Sequence, residues 1–348
     1  MPAPAKVTIP MGMHIGAPCT PVVKVGDLVK VGQVIGEASG FVSVPVHASV
    51  SGKVTALTEI QVSNGSFSKA VVIESDGEQA VSETVVPPVV ETYEQFTAAL
   101  RASGLVGLGG AGFPTAVKFS VKDPSQVEYL LINGAECEPY ITSDTRTMVD
   151  DADHIIKGAM LIRKFLGVKN IAIVIEDNKP EAISIFREKT AQIEGFTVEA
   201  MPAIYPQGGE KVLIHNVTGR DVPEGKLPLD VGCIVINCTS LAFISKYIET
   251  GMPLVEKCIT VDGSAVANPQ NVIAPIGTAL SDIFEFCGGY KAEPKKILLG
   301  GPMMGIAVPD DSVPLLKNNN AILAFAEKEA SLPETTACIK CGRCMDVC

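Results

Sequence analysis

Four cysteines crowd the end of the chain in Cys338-Ile-Lys-Cys341-Gly-Arg-Cys344-Met-Asp-Val-Cys348, a C-x2-C-x2-C-x3-C spacing. Three thiolates in one tight turn can reach three irons of a cubane cluster, and the fourth, three residues on, is carried away by a helix that starts there. Structural zinc usually takes two C-x2-C pairs set well apart, so one compact run favours a [4Fe–4S] cluster on Cys338, Cys341, Cys344 and Cys348. In two-cluster ferredoxins the fourth Cys ligates the other cluster and the pattern runs on into a second cysteine set. The spacing therefore predicts a natural chain that continues beyond Cys348. The other six cysteines, Cys19, Cys137, Cys233, Cys238, Cys258 and Cys287, lack pair spacing and read as small buried residues rather than a disulfide scaffold.

The second chemical feature is Gly104-Leu-Val-Gly107-Leu-Gly109-Gly110-Ala-Gly112-Phe-Pro-Thr-Ala-Val-Lys118. It holds a literal G-x-G-x-x-G at Gly107, Gly109 and Gly112. A dinucleotide fingerprint follows a strand, whereas the segment before this loop reads as a helix. Residues without side chains still let backbone N–H groups approach a phosphate, and Lys118 can supply a counter-charge. A tight turn would need one or two of these glycines, not five in nine residues. Next comes Leu131-Ile-Asn133-Gly-Ala-Glu136-Cys-Glu138-Pro139, directly after a predicted strand. Asn and Glu at a strand's C-terminal end stand where open α/β sheets bind ligands; a solvated polar loop is the competing reading. Neighbouring acids would raise the Cys137 thiol rather than activate it. His14, His47, His154 and His215 are too dispersed for a metal set.

These residues need a frame. The first 80 residues alternate apolar and polar positions between Gly26, Gly32, Gly36, Gly40 and Gly52, which predicts an all-β unit. The stretch from Val25 to Val54 is similar to the barrel-sandwich fold of biotinyl and lipoyl carriers, but the tip that would carry the modified Lys reads Gly40-Phe-Val-Ser-Val-Pro. No swinging arm is expected. Thr92 and Gln95 form a capping-box signature before the stripe Phe96, Ala99 and Leu100. Strands over 127–133, 170–175, 196–200 and 233–237 then alternate with helices over 151–166, 180–193 and 240–249, the pattern of a largely parallel sheet. After Lys257 a small β-grasp module is expected, with one helix over Leu280–Phe286.

The chain has 348 residues, a formal charge of −11, 47% hydrophobic and 19% charged residues, and a mean hydropathy of +0.29. With no Lys/Arg block, nucleic acid and anionic lipid are poor partners. The longest uncharged stretches, Ala102–Val117 and Val231–Ser245, fall short of the roughly 20 apolar residues of a membrane span. The opening MPAPAKVTIP has no apolar signal region. Contact with a membrane is thus expected only through partners.

Taken together, GLVGLGGAGFPTAVK, INGAECEP, YPQGGEKVL and VINCTSL, in that order, resemble the flavin- and NADH-binding subunit of respiratory complex I. With HIGAPCTPVVKVGD and GFVSVPVHASVSGKV ahead of them, they resemble more closely the RnfC family of Rnf complexes, the ion-translocating ferredoxin:NAD+ oxidoreductases. The resemblance implies a multidomain α/β chain: a barrel-sandwich hybrid over 1–85, an FMN/NADH-binding α/β domain over 90–252, an SLBB-like β-grasp module over 255–305, and the start of a [4Fe–4S] ferredoxin-like segment over 325–348. It implies FMN and NAD(H), two [4Fe–4S] clusters in the full-length chain, and hydride exchange between NAD(H) and FMN. Gly107, Gly109, Gly110, Gly112 and Lys118 would line the phosphate side of FMN; Asn133, Glu136 and Glu138 would contact flavin or NADH. Glu210 matches a Glu in the family's Gly-Glu motif, and Asn237 its flavin-contacting Asn. The implied partners are a ferredoxin-like iron–sulfur subunit and membrane subunits, at the cytoplasmic face of the cell membrane. Where the complex I loop carries Arg, this chain has Leu108, which leaves phosphate neutralisation to the backbone and Lys118. Two other functions fit the same chassis: a soluble flavoprotein reductase of the cobalamin- or proline-reductase type, or a relay scaffold without flavin. The N-terminal barrel-sandwich argues against the cobalamin version.

Overall fold

In the computed structural model, which describes residues 1–61, 66–332 and 334–346, the described strands form four sheets, the first two of which interleave along the chain. The first two form the barrel-sandwich. One orders Lys6–Pro10, Phe67–Ser75, Gly52–Gln61 and Leu28–Val29; the other orders Thr20–Pro21, Val34–Glu37 and Val46–His47. Their inward residues, among them Val7, Ile9, Ile35, Val44, Val54 and Ile73, are fully buried. The hairpin tip at Gly40 is pinned rather than free. The Arg101 guanidinium lies 5.6 Å from the centre of the Phe41 ring and donates to the carbonyls of Phe41 (3.0 Å) and Ser43 (2.8 Å).

The helix Tyr93–Ala102 starts with the expected capping box: Thr92 Oγ1 accepts from Gln95 N–H, and Gln95 Oε1 accepts from Thr92 N–H. Its buried stripe is Phe96, Ala99 and Leu100, and Phe96 stacks on Phe165 at 4.8 Å between ring centres. That contact joins it to the helix Ala152–Leu166.

The central sheet is all parallel, in the order Phe196–Met201, Asn170–Glu176, Tyr129–Gly134, Cys233–Asn237. The strands Asn170–Glu176, Tyr129–Gly134 and Cys233–Asn237 are near-continuous apolar runs because helices cover both faces, whereas the edge strand Phe196–Met201 is largely half-buried or exposed. The chain builds outward from Tyr129–Gly134 in one direction through two strands, then returns to place Cys233–Asn237 on its other flank. The strand order therefore reverses between Tyr129–Gly134 and Cys233–Asn237, and open α/β sheets bind ligands beyond the C-terminal ends of such a pair. Among the described residues four α-helices were not expected from the sequence, the longer Ser143–Asp150 and Glu210–Thr218 and the one-turn Thr115–Lys118 and Glu327–Ala330.

The last sheet orders Gln270–Pro275, Glu256–Asp262, Ala321–Phe325, Lys296–Leu299 and Ile306–Val308, with the helix Leu280–Phe286 packed on it through Leu280, Ile283 and Phe284. Its middle strand, Ala321–Phe325, lies beyond the 255–305 span expected for the module. The sheet is completed by chain that the sequence pattern had joined to the cysteine segment. Among the described residues no helix is long and apolar enough to cross a membrane.

Candidate functional site

The strand pairing sets Asn133 directly opposite Asn237 at the C-terminal ends of the two middle strands. Asn133 Oδ1 accepts from Ala135 N–H (3.1 Å) and its amide donates to the Gly208 carbonyl (2.9 Å). Asn237 caps the helix Cys238–Thr250 by accepting from Ser240 N–H (3.2 Å), and its amide donates to Asp144 Oδ2 (2.7 Å). Among the described residues, each asparagine amide thus keeps one of its two N–H bonds available.

The glycine loop lies against this pair. A Cβ on Gly109 would fall 2.5 Å from Asn237 Nδ2, so only glycine fits the close approach. Gly112 has φ +69° and packs on Asn318. The loop is fixed from several sides. Gly107 N–H donates to the Phe113 carbonyl (2.9 Å), Leu108 N–H to Ser240 Oγ (3.2 Å), and Ile15 N–H of the barrel-sandwich to the Gly112 carbonyl (3.2 Å). Lys257 Nζ donates to the Leu108 carbonyl (2.5 Å). Among the described residues, no hydrogen bond within the chain takes the N–H groups of Gly109, Gly110, Ala111 or Gly112. Successive unpartnered backbone N–H groups form a concavity suited to an anion.

Lys118 does not stand free beside the loop. Its ammonium pairs with Glu210 Oε1 (2.8 Å) and donates to the Val235 carbonyl (2.7 Å), which brings two sequence-expected residues together. Glu136 is buried, and its oxygens accept from the N–H groups of Asp144 (2.7 Å) and Thr145 (3.1 Å) and from Thr145 Oγ1 (2.6 Å). It caps the helix Ser143–Asp150 instead of presenting a free carboxylate. Burial, and then the charge of Asp144, push its carboxyl well above the ordinary glutamate range, against those hydrogen bonds. Glu138 Oε2 accepts from Met303 N–H (2.9 Å), but its Oε1 is buried without a partner among the described residues, as is Gln207 Nε2. Buried polar atoms are rarely left so, and these two fit a polar ligand as the open N–H groups do. Between Glu136 and Glu138, the Cys137 thiol is raised, mainly by burial, with Glu176 and Glu138 adding to it.

Several residues of this network were not singled out from the sequence. Asp144 takes Asn237 on one oxygen and Thr239 Oγ1 on the other (2.6 Å). Lys179 bridges the buried Glu176 (2.7 Å) and the Glu136 carbonyl (3.4 Å). Lys257 reaches the loop from another sheet; burial lowers its ammonium to about 7, with Asp144 opposing the shift. Only Asp144 stood in a recognisable position, as an acidic residue in a first helical turn, and that helix lacked an apolar stripe. Two concavities, of about 630 and 580 Å³, lie elsewhere and share no residue with the loop or the 133–138 segment.

The cysteine run occupies a separate, exposed segment. Cys338, Cys341 and Cys344 are all exposed, and Lys340 N–H donates to Cys338 Sγ (3.3 Å) in a turn with positive φ at Lys340 and Gly342. Cys348 lies outside the described residues. The described side chains do not form a ready metal-holding group. The donor set remains one of thiols with an amide N–H aimed at sulfur, chemistry suited to an iron–sulfur cluster that gathers them on binding.

Comparison with known proteins adds independent observations. Residues 1–78 match the family described as the RnfC barrel sandwich hybrid domain, residues 100–246 the Nuo51 FMN-binding domain, and residues 258–307 the SLBB domain. The chain is 42% identical to the C component of the Na(+)-translocating ferredoxin:NAD(+) oxidoreductase complex of Acetobacterium woodii, over 99% of this chain and 79% of that one. It is 40% identical to the proton-translocating counterpart of Clostridium ljungdahlii, over 100% and 76%, and 38% identical to the C component of the ion-translocating oxidoreductase complex of Rhodobacter capsulatus, over 100% and 68%. An NAD+-reducing [NiFe]-hydrogenase in its H2-reduced state superposes with a TM-score of 0.58 at 22% identity. That match covers 68% of this chain and less than half, 47%, of the other, and shows a shared fold.

Proposed function

The chain belongs to the RnfC family of ion-translocating ferredoxin:NAD+ oxidoreductase complexes, and from that premise we propose that it is the electron-input subunit of such a complex, exchanging hydride between NAD(H) and FMN. The observation that carries this reading is the run of unpartnered N–H groups from Gly109 to Gly112 beside the Asn133–Asn237 pair, at the point where the strand order reverses. FMN, when bound, supplies acceptance of a hydride and release of its electrons one at a time. The chain's own residues bind and orient. The open N–H groups of the glycine loop hold the phosphate, and the spare amide N–H bonds of Asn133 and Asn237 meet polar atoms of the ring or ribityl chain. Gln207 and Glu138, each with a buried polar atom lacking a partner among the described residues, meet the flavin or the nicotinamide dinucleotide. Glu136 and the Lys118–Glu210 pair act behind these groups, holding the helix Ser143–Asp150 and the loop in place.

Cys338, Cys341 and Cys344, with Cys348, would hold a [4Fe–4S] cluster that takes up electrons singly. The cysteine spacing supports a second cluster in the full-length chain. Partner subunits, including a ferredoxin-like one and membrane-embedded ones, would couple the electron flow to ion translocation. A peripheral place at the cytoplasmic face of the membrane is part of this proposal, supported by relatives that are named as parts of translocating complexes.

Titration of the purified chain with FMN tests the binding step. Saturable quenching of flavin fluorescence at one FMN per chain is expected. Free-flavin emission throughout the titration would overturn the reading.

A further inference from the structure

Lys257 sits in the strand Glu256–Asp262, in a different sheet from the candidate site, and its ammonium is buried. A lysine in an apolar interior is costly unless it does something there that a methionine could not. Its hydrogen bond goes to the Leu108 carbonyl, on the buried side of the loop, whereas Gly109, Gly110 and Ala111 are exposed.

A trans peptide is planar, so the C=O of one residue and the N–H of the next point in opposite directions. An ammonium that holds Leu108 O from inside therefore turns the Gly109 N–H outward, to the open side. It also draws electron density through the same peptide unit and so strengthens that N–H as a donor. The positive charge of Lys118 is met by Glu210, so an anion on the loop gains more from a cation set behind it.

We propose that Lys257, supplied by the β-grasp sheet, is a positioning residue of the flavin site: by holding the Leu108 carbonyl it aims the glycine-loop N–H groups at the phosphate of FMN. The proposal rests on the flavin reading above and adds a division of labour to it. The SLBB-like module is then a working part of the phosphate site and not only a neighbour of it.

Riboflavin, which has the same ring and no phosphate, separates this role from a purely structural one. The full chain and its Lys257→Met variant are titrated with FMN and with riboflavin, following flavin fluorescence, with folding checked by far-UV circular dichroism. The ratio of the two affinities is expected to fall about tenfold or more in Lys257→Met, the scale of one lost charge-assisted hydrogen bond. Lys317→Met, which removes a comparably buried lysine bonded to Gly104 and Pro45 outside the open N–H run, is expected to leave the ratio within about twofold, well under the tenfold that 1.4 kcal/mol would make. An unchanged ratio in Lys257→Met overturns the proposal, as does an equal fall in both variants. If Lys257→Met does not fold, Lys257→Gln keeps a donor and carries the test, with a ratio reduced at least about threefold expected from loss of the charge alone. Failure of the unaltered chain to bind FMN at all would instead defeat the flavin reading.

Discussion

Gly109 and Asn237 stand so close that the loop and the strand end constrain each other. An added Cβ at Gly109 meets the Asn237 amide at 2.5 Å, while one at Gly110 meets nothing within 4 Å. Gly109→Ala is therefore expected to cost about 1–3 kcal/mol of stability, as overpacking does, and to weaken FMN binding; Gly110→Ala should stay within about 0.5 kcal/mol. Thermal melts of the two variants check the contrast, and equal melting temperatures would contradict it. The strands that end in Asn133 and Asn237, and the glycine loop beside them, were legible in the sequence because apolar runs and close backbone approach restrict residue type. The partners that Glu136 and Lys118 take within the chain were not. A carboxylate or ammonium beside a glycine motif reads as ligand-facing, yet here one caps a helix and the other is met by Glu210. Lys257 was invisible for a related reason: alternation along a strand marks two faces without saying which distant loop a buried polar residue will reach.

Among the elements, the short helix Ser143–Asp150 bears the most weight for its size. Its sequence has no apolar stripe and several weak helix formers, and it is held by Glu136 at its start and by Asp144 against Asn237 and Thr239. Elements whose own residues specify them, such as the apolar strands and the Phe96, Ala99, Leu100 stripe, could be read in advance. Those stabilised by tertiary capping could not. Asn237→Asp tests the coupling between this helix and the next. The variant keeps the oxygen that caps Cys238–Thr250 but places a carboxylate against Asp144. It is expected to lose about 1–3 kcal/mol at neutral pH, the scale of a charge buried without a partner, and to regain most of it in mild acid as the new carboxyl protonates. Denaturant titrations at two pH values measure this, and pH-independent stability would count against the coupling.

Across the whole molecule, the modules are bolted together at Gly104, where Lys317 Nζ donates to Gly104 O (2.7 Å) and Pro45 O (2.9 Å) beside a His47 Nδ1 that has no partner among the described residues. Burial lowers Lys317 to about 7. With its folded value below its unfolded one, the unfolded chain binds more protons between these values, so this group's stability is present above the ordinary lysine range and lost as pH falls through about 7. The melting temperature of the unaltered chain is thus expected to rise relative to Lys317→Met between pH 7 and pH 9.5, and parallel curves would refute the assignment. The order of the modules was readable from composition and turn spacing. Their mutual bolts, which join residues more than two hundred positions apart, were not. The most direct test of the chain as an electron-input subunit is its visible spectrum, recorded anaerobically after loading with FMN and then with NADH added. Bleaching of the flavin band on addition of NADH is expected. A bound flavin that stays oxidised in excess NADH would contradict the central claim.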